Sequence, residues 1–535
     1  MNPPGSCRCR PSEPCWPSDQ EWNRFNISID GNLVRLRPVG HVCHHPTLDP
    51  AACDELLHLT RDSGWRASRP ETLQDWVWEA GSSENETCPI WGSSETPCHQ
   101  GRVSRYAVTV RSAQHVQDAV LFARQYNLRL VIKNTGHDGS GRSASTDSFQ
   151  IHTHFLKDIQ YHTDFHATGV TTGSGPAVSI GAGVMHWELY ERGHQEGYLI
   201  VGGECPTVGA AGGFLQGGGV SSFLSHARGL AVDNVLEFQV VMANGALVTA
   251  NSHHNPDLFW ALRGGGGGTF GVAFWDTGIA GLFTLLQTFN RDNVSGQLIL
   301  RPSANASRTA SLTLYFMNHT DVAMVEERIQ KHLPPWYERG FSYERVSKFL
   351  PRVSSDLRMA PDIYPDHYGI LQASVLVSNQ LFTSPDGPAR MAEMISRLPL
   401  NANDLLFTSN LGGRVNVDSN NTAMHPAWRS SAHLVNYVRG VEPTVDRKQT
   451  ALEELHHVQM PILYSLQPGF RVSYLNLGDP RETDFQDVYW GGNYARLARI
   501  KQDVDPDGLF LTRLGVGSEQ WDDEGICRKS RSSRS

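Results

Sequence analysis

Two side chains with nucleophilic potential stand in this sequence where glycine leaves the backbone bare. His137 lies in NTGHDGSGRS (134–143), a polar loop directly after the apolar run LRLVIK (128–133). Cys205 lies in VGGECPTVGAAGGFLQGGG (201–219), and a third glycine cluster follows in LRGGGGGTFGV (262–272). Glycine lets backbone approach a ligand closely and adopt positive φ. Successive N–H groups in such turns form concavities that bind anions. Three clusters in one region therefore predict a large phosphate-bearing cofactor touched at several places. Taken singly, a loop histidine is as readily bonded to backbone, and a lone cysteine is as readily a small buried hydrophobe. Facing an electron-poor ring, the thiol would attack as thiolate, its pKa lowered by nearby N–H dipoles. No G-x-x-x-x-G-K-[ST] occurs, which excludes a Walker phosphate loop. GAAGGF (209–214) lacks the strand, helix and acidic residue that a dinucleotide fingerprint requires.

The elements that must carry these groups can be read from periodicity. AVTV (107–110) reads as a strand, Val116, Ala119, Val120 and Ala123 recur at helical spacing, and LRLVIK closes a β-α-β unit ending in the histidine loop. VSIGAGV (178–184) reads as a strand, and a helix starts near His186 and stops at glycine. LEFQVVMANGALVTA (236–250) places Asn-Gly between two apolar runs, which predicts a hairpin. From about 295 to 455 the glycine clusters disappear, which marks a second domain. The Pro/Ser/Cys-rich start reads as an extended arm and the Ser/Arg-rich end as a disordered tail.

Composition narrows the class. With 39% hydrophobic and 19% charged residues, the chain is that of an ordinary globular protein. The net charge of −9 and the absence of a Lys/Arg block argue against nucleic acid. No run of about 18 apolar residues predicts a membrane span. Cys7, Cys9, Cys15, Cys43, Cys53, Cys88 and Cys98 crowd the N-terminal part, leaving only Cys205 and Cys527 beyond it. That density points to disulfides made in an oxidising compartment. Pairing does not follow from sequence, but the short loops 43–53 and 88–98 are the expected closures. The spacings of a zinc finger or ribbon are absent, and no metal site is expected. Asn-x-Ser/Thr sequons at Asn26, Asn85, Asn293, Asn305, Asn318 and Asn420 favour a secreted glycoprotein. Residues 1–20 contain no apolar stretch of a signal peptide, so either a leader precedes them or export follows another route.

The two nucleophile motifs together carry a family resemblance. NTGHDGSGRS and GGECPTVGAAGG resemble the FAD-binding domain of the vanillyl alcohol oxidase/p-cresol methylhydroxylase (PCMH) type, and more narrowly the fungal form of the berberine bridge enzyme-like oxidases. YWGGNYARLARIKQDVDPDGLF (489–510) resembles the closing motif of that group, and CRCRPSEPCWPSDQEWNRFN (7–26) the mature start of its secreted fungal members. The resemblance implies an α+β flavoprotein of two domains, with a substrate-domain sheet covering the flavin. The implied layout is an arm (1–39), an FAD-binding domain (40–290, core about 99–285), a substrate domain (291–455), a C-terminal segment completing the FAD domain (456–521) and a tail (522–535). It implies FAD held by two covalent bonds: His137 to the 8α-methyl and Cys205 to ring carbon 6. Asn134, Thr135, Gly136, Asp138, Gly139, Gly141, Arg142 and Ser143 would form the phosphate-facing loop. Gly202, Gly203, Val208, Gly209, Gly212 and Gly213 would line a second face. Gly229, Leu230, Asp233 and Val235, with Asn493 and Tyr494 of the closing motif, are further expected cofactor contacts.

The implied activity is oxidation of a small organic substrate, a secondary metabolite or a carbohydrate, by hydride transfer to flavin. Dioxygen would then take the electrons as H₂O₂, in a protein acting as a monomer. The alternatives are a dehydrogenase of the same fold with another electron acceptor, or a non-catalytic flavin-binding protein. Tyr474 is the expected catalytic base. The chain departs from the pattern twice. Many fungal members read Tyr-x-Asn-Glu where this one reads Tyr474-Leu-Asn-Leu477, so a carboxylate is lost. After residue 272 the family's alternating strand is replaced by AFWDTGIAGLFTLLQTFN (273–290), either a divergent strand and helix or a misread stretch of gene.

Overall fold

The computed structural model describes residues 7–83, 86–266, 277–292, 294–302, 308–317, 319–332, 346–347, 349, 369–417, 421–442 and 444–529. Strands β1 (Leu33–Arg35), β2 (Tyr106–Thr109), β3 (Leu130–Lys133) and β4 (Phe149–His152) form one sheet in the order β1-β2-β4-β3. β4 runs parallel to both β2 and β3, and β1 is antiparallel to β2. Helices α1 (Asp19–Ser28), α2 (Pro50–Leu59), α3 (Ser63–Ser68) and α4 (Ala113–Gln125) belong to this half of the molecule. α4 is capped by Ser112, which accepts from the His115 N–H, and it buries Ala119, Val120 and Ala123 as its apolar spacing predicts. The β-α-β unit is therefore present, with β4 inserted between its two strands.

Beyond it come β5 (Ile159–His162) paired with β6 (Ala177–Ile180), then α5 (His186–Glu196). α5 ends at Gly197 with φ of 85°. The hairpin is β7 (Glu237–Val241) with β8 (Leu247–Asn251), in register Val240 to Val248. A second, antiparallel sheet is built from β9 (Ser295–Pro302), β10 (Arg308–Tyr315), β11 (Gly369–Ser378), β12 (Asp404–Asn410) and β13 (Ser431–Val441), in the order β10-β9-β12-β13-β11. Side chains alternate across it. Leu298, Leu300, Leu371, Ala373, Leu406, Val435 and Tyr437 enter the largest core, and their sequence neighbours turn to the opposite face.

The start of the chain differs from the extended arm expected for it. Ser18 and Glu21 make a capping box that starts α1, and Trp22 and Phe25 lie on its buried face. Phe25 stacks on Phe122 at 4.1 Å, so the segment is part of the core around the first sheet. The tail also differs. Cys527 is disulfide-bonded to Cys7, and the Glu524 carboxylate accepts from Arg102 Nε at 2.9 Å, so residues 522–529 are held to the half of the molecule that carries the first sheet. The remaining bridges are Cys9–Cys15 and the two expected closures, Cys43–Cys53 and Cys88–Cys98. In the divergent stretch, Thr277–Arg291 is a helix that buries Phe283, Leu286 and Phe289; residues 267–276 lie outside the described set. Among the sequons, only Asn26 lies within the described residues, in α1. Among the described residues no helix is long and apolar enough to cross a membrane.

Candidate active site

A cavity of about 2390 Å³ opens between the glycine-bearing loops and the free face of the second sheet. His137 and Cys205 both line it. β3 delivers the histidine loop, whose base is anchored from below. Lys133, fully buried, donates through Nζ to the carbonyls of Arg66, Ala67 and Arg69 at the end of α3. Asp138 closes the loop on itself: its Oδ1 accepts from the N–H groups of Ser140 and Arg142, and its carboxylate pairs with the Arg142 guanidinium at 3.2 Å.

A hydrogen bond joins the second motif to the first. His137 Nε2 lies 2.7 Å from Thr207 Oγ1. Cys205 sits two residues earlier, exposed to the cavity, and is outside the four disulfides. His186, at the first turn of α5, fastens this motif. Its N–H donates to the Val208 carbonyl and its Nδ1 lies 3.4 Å from the Cys205 carbonyl. A carbonyl can only accept, so Nδ1 carries the proton and Nε2 is an acceptor. Burial pushes His137 down to about 3, with His186 and Lys133 adding to the shift. Burial likewise lowers His186 to about 4, against the carbonyl of Cys205. Both imidazoles are thus neutral at physiological pH, as a histidine nucleophile must be.

The cavity is a cradle of the kind a large cofactor needs. A Cβ added at Gly209 would fall 2.0 Å from Asn134 Nδ2, so only glycine lets these two loops close on one another. Asn134 Oδ1 and His186 Nε2 are buried without a hydrogen-bond partner, polar atoms left for something the protein does not itself supply. Thr135, Gly136, Gly139, Ser143, Gly203, Val208, Gly212, Gly213, Asp233 and Val235 also line the space. Six expected contacts stand outside its wall. Gly141, with φ of 69°, lets the loop pass against Trp78 and Arg102. Gly202 makes room for the Tyr190 hydroxyl, and Gly229 and buried Leu230 form the turn capped by Asp233. Asn493 donates to the Met424 carbonyl and Tyr494 to Glu519. Asp233 itself is held by a two-point ion pair with Arg429.

Tyr474 and Leu477 line the same cavity. Three N–H donors converge on the Tyr474 oxygen: Gly219 at 3.0 Å, Val220 at 3.3 Å and Asn476 Nδ2 at 3.0 Å. Burial pushes this phenol up to about 12, and the three donors oppose that rise by stabilising the phenolate. Opposite stands the face of the second sheet: Ile299, Ile370, Leu405, Phe407, Leu434 and Val438, with polar Arg301, Gln372, Ser409 and Asn436 among them. Sequence reasoning missed Thr207, His186 and the cavity-lining Asp75, because single side chains in irregular segments leave no periodic signal.

Comparison with known proteins accords with this geometry. Residues 104–251 match the family model described as an FAD binding domain, and residues 473–517 that described as berberine and berberine like. The chain is similar to the FAD-linked oxidoreductase easE of Epichloe festucae var. lolii, 54% identical over 98% of this chain and 93% of the relative. It is also similar to the FAD-linked oxidoreductase penH of Penicillium thymicola, 47% identical over 98% and 95%. Among solved structures, a VAO-type flavoprotein of Myceliophthora thermophila superposes with a TM-score of 0.81 at 29% identity, over 98% of this chain and 100% of that one. The berberine bridge enzyme of Eschscholzia californica shares the fold at a TM-score of 0.63 and 16% identity, over 92% of this chain and 98% of that one.

Proposed function

The chain belongs to the berberine bridge enzyme-like FAD-linked oxidoreductases, and from that premise we propose an oxidase whose FAD is bonded to both His137 and Cys205. The observation that carries this reading is the meeting of the two motifs. An imidazole and a thiol from separate motifs line one cavity, and Thr207 bonds the first while standing two residues from the second. Covalent holding has a thermodynamic use in a secreted enzyme diluted without limit. Even nanomolar affinity, about −12 kcal/mol, would let the cofactor escape. The bound FAD would supply a hydride acceptor and pass the electrons to dioxygen as H₂O₂.

The residues of this chain have the remaining tasks. Tyr474 takes the substrate proton, with Gly219, Val220 and Asn476 stabilising the phenolate as it forms. The sheet face opposite is mostly apolar, with Gln372, Ser409 and Asn436 as its neutral polar groups. That lining favours a weakly polar organic metabolite over a carbohydrate, whose many hydroxyls would each need a partner. The division into an FAD part (40–290 with 456–521) and a substrate part (291–455) is supported by the second sheet, whose strands all fall between residues 295 and 441. Four disulfides support an oxidising compartment, and so secretion; the monomeric, glycosylated state is part of the same proposal.

Intact mass and acid precipitation test the linkage. Wild-type protein retains one FAD after denaturation; Cys205→Ala and His137→Ala each keep flavin through the other residue, and the double variant releases it. Free FAD recovered at one equivalent from denatured wild type would refute the covalent reading. Stoichiometric H₂O₂ release with a panel of alcohols, amines and sugars separates an oxidase from a dehydrogenase. Expression with its native upstream sequence, followed by enzymatic deglycosylation, tests secretion: a cytosolic, unglycosylated product excludes it.

A further inference from the structure

Six carboxylates line the cavity: Asp75, Asp138, Glu204, Asp233, Glu237 and Asp505. Five are engaged by side chains, namely Arg142, Ser222, Arg429, Asn251 and Lys501 respectively. For Asp75, the hydrogen-bond partner among the described residues is a backbone group, the Ile370 N–H at 3.2 Å from Oδ1. The Asp75 side chain is nonetheless almost wholly buried, at 4% exposure.

The segment that carries it is clamped against the histidine loop. The Gln74 N–H donates to the Gly136 carbonyl at 3.2 Å, and Gln74 Nε2 donates to the carbonyls of Thr135 at 3.2 Å and Ser63 at 2.8 Å. On the other side, Val77 packs so closely on Gly369 that a Cβ there would lie 2.2 Å from it. Asp75 is thereby held next in sequence to Gln74, which is bonded to the two residues that precede His137, and both Asp75 and His137 line the cavity. Two charges act on it: Arg66 from α3 lowers its pKa and Asp138 from the loop raises it. Burial outweighs both and pushes the carboxyl up to about 7.

We infer that Asp75 is the proton acceptor in formation of the His137–flavin bond, and so a catalytic residue of the protein's own maturation. This rests on the covalent reading above. The step must break a C–H bond of the flavin 8-methyl group and form a C–N bond to the imidazole. Asp75 takes the methyl proton, the imidazole N–H proton passes to solvent, and the freed electron pair enters the flavin ring with two protons from solvent. Dioxygen then accepts two electrons and two protons as H₂O₂, restoring the oxidised ring. Neighbouring groups serve less well as the base. Asp138 is committed to Arg142 and two backbone N–H groups. Lys133 is spent on three carbonyls. His186 is lowered to about 4 by burial and is the weaker acceptor.

Peptide mass spectrometry of the flavinylated sites tests the assignment. In Asp75→Asn the His137 peptide loses its flavin at least tenfold while the Cys205 peptide keeps it, which also reports a folded, FAD-loaded chain; Asp75→Glu restores the His137 adduct. Wild-type chain synthesised cell-free with FAD gives a second measurement that no folding defect obscures. For a base titrating near 7, formation of the His137 adduct should be about tenfold slower at pH 6 than at pH 8. Full His137 modification in Asp75→Asn, or a rate indifferent to pH, overturns the role of Asp75. Absence of any His137 adduct in the wild type overturns the linkage itself, and this inference with it.

Discussion

Thr207 Oγ1 and His137 Nε2 are 2.7 Å apart although 70 residues separate them in the chain. This bond joins the histidine loop to the cysteine motif. A hydroxyl serves as donor or acceptor, so it can follow the ring as the tautomer changes. Thr207→Val keeps the shape and removes the bond. Its His137 adduct should fall several-fold while the Cys205 adduct persists, read as the ratio of the two flavinylated peptides. An unchanged ratio would show that the hydroxyl does not orient the ring.

Tyr474→Phe removes the phenol on which three N–H donors converge. Loss of a positioned base lowers turnover by about 10² to 10⁴. The covalent flavin content and its absorbance should not change, and KM should move little. Burial raises the phenol to about 12, so its ionised fraction grows with pH throughout the neutral range. Turnover limited by this group therefore rises with pH in the wild type and is lower throughout the neutral range in Asn476→Asp, where a carboxylate replaces one donor and raises the phenol further. A Tyr474→Phe enzyme with full turnover would assign the base elsewhere.

Gly209→Ala places a methyl group 2.0 Å from Asn134 Nδ2, whose amide also donates to the Ala182 carbonyl. The Asn134 amide must swing away to admit it and give up its bond to the Ala182 carbonyl. Flavin content should drop severalfold with the remaining fold intact, as judged by far-ultraviolet circular dichroism. Normal flavin loading would mean that the loops close less tightly than this contact requires.

Acid should destabilise the protein through its buried histidines. Burial lowers His433 to about 3; its ring stacks on Phe382 and its Nδ1 meets Asn410 Oδ1 at 3.0 Å. A histidine depressed in the folded state favours folding above its unfolded pKa of about 6.5, and that contribution is lost as pH falls toward the folded value. The loss is about 1.4 kcal/mol per pH unit for each such residue. His433→Phe should flatten the fall in urea stability between pH 6 and pH 4 by that amount. An identical slope in the variant would contradict the neutral, buried state of this ring.

The local grammar of this chain was legible without its structure. The helical spacing of Val116, Ala119, Val120 and Ala123, the Asn-Gly turn at 244–245 and the two short disulfide loops all specify their conformations through near neighbours, and each is found. The two nucleophile motifs were legible for the same reason, since glycine enrichment is written in consecutive residues. α1 was readable too: Ser18 and Glu21 at capping-box spacing, followed by Trp22 and Phe25, spell a buried helix that the Pro/Cys composition obscured. Only the tertiary structure decided what meets what. It set Thr207 against His137, aimed three N–H donors at Tyr474, lodged Asp75 in the cavity wall, and joined Cys7 to Cys527 across 520 residues. Such contacts depend on the packing of two sheets and on single side chains in irregular segments. Neither repeats along the chain, so no periodicity or composition encodes them locally.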